Sequence, residues 1–380
     1  MSTAANPDLD EADAELLQAA FAAGRPMTVG VEEELMLLDP TTLDLAPVAP
    51  VVLERLDGDA RFKAELPAAQ LEIALDPVAH AGDVGPALAA ARAALVQAAG
   101  DLARPAGGGA HPFAAPLGAL SPGDRYAALA CEYGPVLRAQ LVFGLHVHVA
   151  IGDAGRALSV YNTVREYLPA LAALGAAAPF YAGRDTGLAS VRPKLGDLLP
   201  RQGVPPALRS WVEYAEALRR GAPRAPAFAD AQWWWEARLH PVHGTLEIRV
   251  PDTQATAADT AAVAAVVHAL VATLADRHDA GALPEPAAPW VIAENRWSAC
   301  RHGVEGDWLD AAGRRTVPMR ERLHALLDEL GPAAQRLGGG ARFERARDLV
   351  ERPRARRARA LGVGDPRALA ADLAERFMSV

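Results

Sequence analysis

Four short segments of this 380-residue chain alternate between apolar residues and charged or imidazole-bearing ones, and that alternation limits the folds open to it. Successive side chains of a strand point to opposite faces, so a period of two sorts residues by face. In 141–151 the odd positions Leu141, Phe143, Leu145, Val147, Val149 and Ile151 are apolar, and the even positions include Gly144, His146 and His148. In 245–250, Leu246, Ile248 and Val250 oppose Thr245, Glu247 and Arg249. In 71–76, Leu71, Ile73 and Leu75 oppose Glu72 and Asp76. The segment 27–38 sets Val29, Val31, Leu35 and Leu37 against Glu32 and Glu34, while Glu33 interrupts its apolar face for no reason visible in the sequence. One sheet could bury all four apolar faces on helices and collect Glu32, Glu34, Glu72, His146, His148, Glu247 and Arg249 on the other.

Such a collection is electrostatically expensive. Glu32 and Glu34, two residues apart on one strand face, would sit about 7 Å from each other. At an effective dielectric near 20 their repulsion is roughly 2.5 kcal/mol, before the other acids are counted. Bound cations are the simplest compensation. Carboxylates outnumber imidazoles and no thiolate takes part, which favours Mg²⁺ or Mn²⁺ over Zn²⁺. The only lysines are Lys63 and Lys194, and neither completes a GxxxxGK[ST] loop, so a P-loop is excluded. Phosphate chemistry here would rest on arginine and metal.

The rest of the chain frames this sheet. Apolar residues make up 51% of the sequence, enough for a sizeable core, and the net charge of -9 argues against nucleic acid as a partner. The basic run 352–359 reads as a solvated helix face. The acidic N-terminus lacks the order of a signal peptide, and the best apolar stretch, 257–274, carries Asp259 and His268, so neither export nor a membrane partner is expected. The expected location is the cytoplasm. Cys131 and Cys300 stand in no metal or redox spacing and read as small buried hydrophobes. Helices are expected over 10–23, 84–102, 157–174, 206–219 and 257–274, with loops at 107–112 and 221–227 and a mostly helical C-terminal part broken at 338–340 and 362–366. Strands separated by helices and long loops, without regular βαβ spacing, predict an α+β fold.

Seven segments together resemble a known family: TVGVEEELMLLDP at 28–40, ELPAAQLEIALD at 65–76, GGGAHPF at 107–113, VFGLHVHVAI at 142–151, GLASVRP at 187–193, HGTLEIRVPDTQAT at 243–256 and ENRWSACRHG at 294–303. In this order they resemble the carboxylate-amine ligases grouped as glutamate–cysteine ligase type 2, in the glutamine synthetase-like superfamily. The resemblance implies a largely antiparallel sheet forming a bowl with helices on its outer face. It makes residues 25–380 a single catalytic domain and 1–24 an N-terminal extension. It also implies ATP with Mg²⁺ or Mn²⁺ as cofactors, and glutamate and an amine such as cysteine as substrates, joined through a γ-glutamyl phosphate. Carried over by position, Glu32, Glu34, Glu65, Glu72, His146 and Glu247 are implied metal ligands. His148, Arg296 and Arg301 are assigned to nucleotide, Arg192 to the substrate α-carboxylate, and Arg249 to the transferring phosphoryl group. Ala68 and Leu75 depart from the polar residues that many relatives carry there. Self-association into a homo-oligomer stays open.

Other readings share these residues. A metal-dependent amide hydrolase would use the same acids and histidines with water as nucleophile, and a degenerate relative would bind metal or nucleotide without turnover. Arg249 could serve only as an ion-pair partner of the acids. Trp233, Trp234 and Trp235 read as packing residues in preference to an adenine platform. His111 reads as a satisfied loop histidine, and the glycines before it as a turn.

Overall fold

The computed structural model describes residues 7–221 and 233–379. The strands are β1 (Val29–Leu38), β2 (Phe62–Ala64), β3 (Gln70–Ala74), β4 (Arg104–Ala106), β5 (Leu145–Ala150), β6 (Phe180–Tyr181), β7 (Arg184–Asp185), β8 (Ala237–His240), β9 (Thr245–Ile248), β10 (Asp307–Leu309) and β11 (Thr316–Pro318). Seven of them build one antiparallel sheet in the order β2-β3-β1-β5-β9-β8, with β4 also paired to β1. β6–β7 and β10–β11 form separate hairpins. The α+β expectation and the largely antiparallel sheet hold.

The four alternating segments all join this sheet, and their apolar faces are buried. Val29, Val31, Leu145, Val147, Val149, Leu246 and Ile248 share one core with the Ala257–Asp279 helix. That helix is apolar on nearly all sides up to Ala275, which suits a helix packed on every side. Among the described residues it alone is long and apolar enough to cross a membrane, and 89% of its apolar window is buried inside the protein. Its N-terminus is capped by the Thr256 hydroxyl, which accepts from the Asp259 amide at 3.1 Å. The Pro7–Ala23 helix adds Leu17 and Phe21 to the same core.

Several boundaries differ from the sequence expectation, each for a local reason. The expected helix over 157–174 is two helices, Ala154–Val164 and Leu168–Gly175, with Pro169 in the first turn of the second, where its missing N–H costs nothing. The helix expected over 206–219 is Trp211–Gly221. Regular pairing in 141–151 is confined to β5, because the Phe143 amide turns to the Gly109 carbonyl at 3.0 Å. The basic run 352–359 is not a uniformly solvated face. Arg352 and Arg356 are exposed, whereas Arg354 turns inward to the fully buried Asp259, at 2.8 and 2.9 Å. Cys131 is exposed and only Cys300 is buried. Of the loop expected over 221–227, residues 222–227 lie outside the described residues.

The structure also accounts for Glu33. Its side chain faces the helices and is fully buried, where Arg92 of the Val84–Ala99 helix donates to both carboxylate oxygens at 3.0 and 2.7 Å. The Thr260 hydroxyl donates to the same carboxylate at 2.5 Å. The other Arg92 donors reach the carbonyls of Gln254 and Ala255, each at 3.0 Å, and of Phe377 at 2.9 Å. One guanidinium thus ties β1 to three distant parts of the chain.

Removing one partner of a buried pair strands the other, so Arg92→Leu should lower the unfolding free energy by about 3–5 kcal/mol in urea titration. The exposed pair Arg336–Asp276 is the control: Arg336→Leu should change it by about 1 kcal/mol or less. An Arg92→Leu protein within about 1 kcal/mol of wild type would contradict this reading of the pair.

Candidate active site

The face of the sheet opposite the helices forms one side of a cavity of about 640 Å³. Strand register sets what that face presents. Lys63 on β2 stands opposite Glu72 on β3, and Glu72 stands opposite Glu34 on β1. Glu32 stands opposite His146 on β5. His148 stands opposite Glu247 on β9, which in turn faces Arg238 on β8. Glu65 enters from the turn after β2, where its backbone carbonyl accepts from the Ser121 hydroxyl at 2.5 Å. The seven residues gathered from period-two reading therefore share one face, with Glu65 beside them.

These side chains are in near contact. His146 Nδ1 lies 3.3 Å from Glu32 Oε2 and 3.9 Å from Glu247 Oε1, and His146 Nε2 lies 3.7 Å from Glu34 Oε1. His148 Nε2 is 3.4 Å from Glu32 Oε2 and 3.8 Å from Glu247 Oε1, while its Nδ1 meets the Thr245 hydroxyl at 2.9 Å. The Gly144 amide donates to the Glu34 carboxylate, and both Arg238 and Arg249 pair with Glu247. Arg249 Nη1 also lies 3.3 Å from His146 Nδ1.

Burial raises the pKa of every carboxylate here, and the neighbours decide which ones stay raised. At Glu247 burial is outweighed by Arg238 and Arg249, and at Glu32 by the His146 hydrogen bond and the neighbouring His146 and His148 imidazoles, so both lie well below the usual carboxylate range. At Glu34, burial prevails over the charges of Arg192 and Arg249. Burial and then the Glu34 charge raise Glu65. Burial, then Glu32 and Glu65, push Glu72 well above the usual range. Burial, with the Arg249 charge adding to it, lowers His146 to about 4, which keeps its imidazole neutral near pH 7. The corner formed by Glu34, Glu65 and Glu72 therefore has the greatest unmet need for positive charge.

The donor set fits divalent cations. Among the described residues, three groups hold ligand atoms within 4.8 Å of one another: Glu32, His148 and Glu247; Glu32, Glu72 and His146; and Glu34, Glu65 and Glu72. His146 Nε2 and His148 Nε2 are buried and have no hydrogen-bond partner, an expensive state that a ligated cation would relieve. Carboxylate oxygens with a few imidazoles suit Mg²⁺ or Mn²⁺ better than a thiolate-seeking ion.

The arginines divide. Arg249 and Arg192 line the cavity, and Arg192 is held by the carbonyls of Arg249 at 3.0 Å and Val250 at 3.1 Å. Arg296 also lines it, with donors engaged by Glu236 at 2.7 Å and by both Asp197 oxygens at 2.7 and 3.0 Å. Arg301 is not brought to the cavity, and its guanidinium packs against Gly187. His111 is satisfied by the Leu43 carbonyl and the amides of Phe113 and Ala114. Trp233 is buried and packs on Tyr214 and Trp235, and Trp233 and Trp234 also line the cavity.

Sequence reasoning passed over Lys63, Arg238, Arg125 and Glu236 in this cavity. Two of them had a signal. Arg238 and His240 alternate with Ala237 and Leu239, the same period-two pattern on a shorter strand, and Lys63 is one of only two lysines. Arg125 and Glu236 arrive from a helix and a non-strand segment and carried no periodic mark.

The family model of Glutamate-cysteine ligase family 2 matches residues 28–366. A Rubrobacter xylanophilus protein named "Putative glutamate--cysteine ligase 2-3" is 38% identical over 336 residues, 86% of this chain and 90% of that protein. A Saccharopolyspora erythraea protein named "Putative glutamate--cysteine ligase 2-2" is 35% identical over 362 residues, 92% of each. Among solved structures, a glutamate–cysteine ligase from Francisella tularensis in complex with AMP matches with a TM-score of 0.66 at 14% identity, covering 93% of this chain and 89% of that one. A bifunctional glutathione synthetase from Pasteurella multocida matches with a TM-score of 0.66 at 16% identity, covering 97% of this chain and 54% of that one. At such identities these two structures speak for the fold.

The crowded acidic corner yields a stability test. Glu72→Gln removes a charge that the folded state disfavours, so the cation-free variant should melt a few degrees above wild type. Mn²⁺ should raise the melting temperature of wild type, and that increment should shrink or vanish in Glu72→Gln. A lower melting temperature for the cation-free variant, with the Mn²⁺ increment intact, would contradict the assignment.

Proposed function

Because the chain belongs to Glutamate-cysteine ligase family 2, we propose that it is an ATP-dependent carboxylate-amine ligase that joins the γ-carboxylate of glutamate to the amine of cysteine. The observation that carries the reading is a single sheet face on which three carboxylate-bearing groups with cation-ligand spacing adjoin Arg249, with Arg192 in the same cavity. Residues 25–380 would act as one catalytic domain, with 1–24 as an extension of it.

A carboxylate is a poor acyl donor because it must lose oxide. In the proposed reaction a γ-carboxylate oxygen attacks the γ-phosphorus of ATP and ADP leaves, which gives an acyl phosphate. The amine nitrogen then attacks the acyl carbon, the C–O bond to phosphate breaks, and the nitrogen gives up a proton as the amide forms. Divalent cations held by Glu32, Glu34, Glu65, Glu72, His146 and Glu247 would neutralise phosphate charge as the phosphoryl group moves. Arg249, held beside His146 by Glu247, would offer directional donors to the same group. Arg192 would take the α-carboxylate of glutamate, while His148 and Arg296 would lie toward nucleotide. Arg301 would reach a ligand only by leaving its place against Gly187. No protein nucleophile is required, which agrees with burial raising the Cys300 thiol pKa to about 12.

The first experiment is a panel of amines with glutamate, Mg²⁺ and ATP, read as ADP release and amide formation. ADP release that requires both glutamate and cysteine supports the reading. Amide cleavage without ATP would replace it with a hydrolase. Within that assay, Arg249→Lys keeps the charge but loses the planar fork, so it should lower kcat by roughly tenfold or more and change either KM less. A less stable variant with wild-type kcat would confine Arg249 to an ion-pair role.

A further inference from the structure

We propose that Lys63 is a built-in cation that shares the middle of the three ligand groups, so that a divalent ion is held more weakly there, beside His146, than in the two outer ones. This rests on the proposed reading of the face as a divalent-cation site. The three groups are not independent. Glu32 belongs to the first and the middle group, and Glu72 to the middle group and the corner group. Three divalent ions would have to share these two carboxylates.

Lys63 meets both shared residues. Its Nζ lies 3.4 Å from Glu72 Oε1 and 3.6 Å from Glu32 Oε1. Among the described residues it is the only basic side chain paired with Glu72, and these two glutamates are its only acidic partners. The position follows from the fold, because β2 is the edge strand and Lys63 stands directly opposite Glu72. The Lys63 side chain is half-exposed, and its ammonium is within 3.6 Å of both carboxylates. An ammonium is a compact point charge that needs no fixed coordination geometry, so it can satisfy one oxygen from each glutamate and leave their other oxygens for ions on either side. A divalent ion entering the middle group would meet this charge.

The test is Mn²⁺ titration of the full chain without nucleotide, followed by the loss of the free-ion electron paramagnetic resonance signal. Lys63→Met keeps the stem and deletes the charge, Lys63→Gln gives a second neutral variant, and Lys63→Arg retains the charge. Both neutral variants should bind one more Mn²⁺ than wild type, or bind the weakest ion about tenfold tighter, whereas Lys63→Arg should follow wild type. Melting curves on the same samples confirm that each variant is folded. If wild type binds Mn²⁺ and the neutral variants give the same isotherm or a weaker one, the role of Lys63 is overturned while the metal reading of the face stands. If no variant and no wild type binds Mn²⁺, the metal reading itself falls.

Discussion

Three consecutive glutamates on β1 must be sorted between a core and a cavity, and the buried pairing of Glu33 with Arg92 does the sorting. A slip of one residue would exchange the two faces of the strand, burying Glu32 and Glu34 and exposing Glu33. Apolar neighbours alone specify this weakly, because Val29, Val31, Leu35 and Leu37 tolerate one acid among them only if that acid is neutralised. Arg92 supplies both donors to Glu33 and spends its others on carbonyls from 254, 255 and 377. Register, helix placement and the C-terminal end are thereby coupled. The cavity face inherits its geometry from this pair, since Glu72 and His146 are positioned by their registers with β1, and Lys63 by its register with β3.

On the cavity side the same acids face a different solution. At the β8–β9 edge the chain neutralises itself, with Arg238 and Arg249 both on Glu247. At the β2–β3 edge Lys63 pairs with Glu72 and the Arg125 charge acts on Glu65, yet burial keeps Glu34, Glu65 and Glu72 raised. Fixed guanidinium groups set orientation, whereas an undersatisfied corner would favour a mobile cation, as the proposed metal site requires. The gradient across one sheet separates self-neutralised acids at the β8–β9 edge from undersatisfied acids at the β2–β3 edge.

The sequence made this face legible because every strand that builds it has one side against the helices. Glu32, Glu34, Glu72, His146, His148, Glu247 and Arg249 could be grouped without a structure, since alternation records the side of the sheet directly. Arg192 and Glu65 were reached only through resemblance, because they come from a short helix and a turn, where no period marks a face. Glu33 was visible as an anomaly but its partner was not. Arg92 lies 59 residues away on an alanine-rich helix, and only tertiary packing makes that meeting. The fixed cations were the larger omission. Compensation of the acids was expected from bound metal, and the chain supplies part of it from Arg238 and Lys63 on short strands that offer too few residues for a convincing period.

Gly144 shows why the two kinds of charge in this cavity form one object. A Cβ at that position would lie 2.0 Å from Arg192 Nη2 and 3.1 Å from His146 Nε2, so the absence of a side chain is what admits the arginine. The same residue donates its amide to the Glu34 carboxylate, and its carbonyl accepts from the Glu34 amide at 3.0 Å and the Thr253 hydroxyl at 2.7 Å. Arg192 in turn rests on the carbonyls of Arg249 and Val250, the backbone that follows Glu247. A displacement at the end of β9 would therefore move Arg192, Arg249 and Glu247 together and leave their mutual spacing intact. For a reaction that brings two anionic partners into line, preserved spacing matters more than absolute position, because errors of about 1 Å between reacting groups are costly. The contacts through Gly144 extend that shared frame to Glu34 on β1, and from there to the register fixed by Glu33.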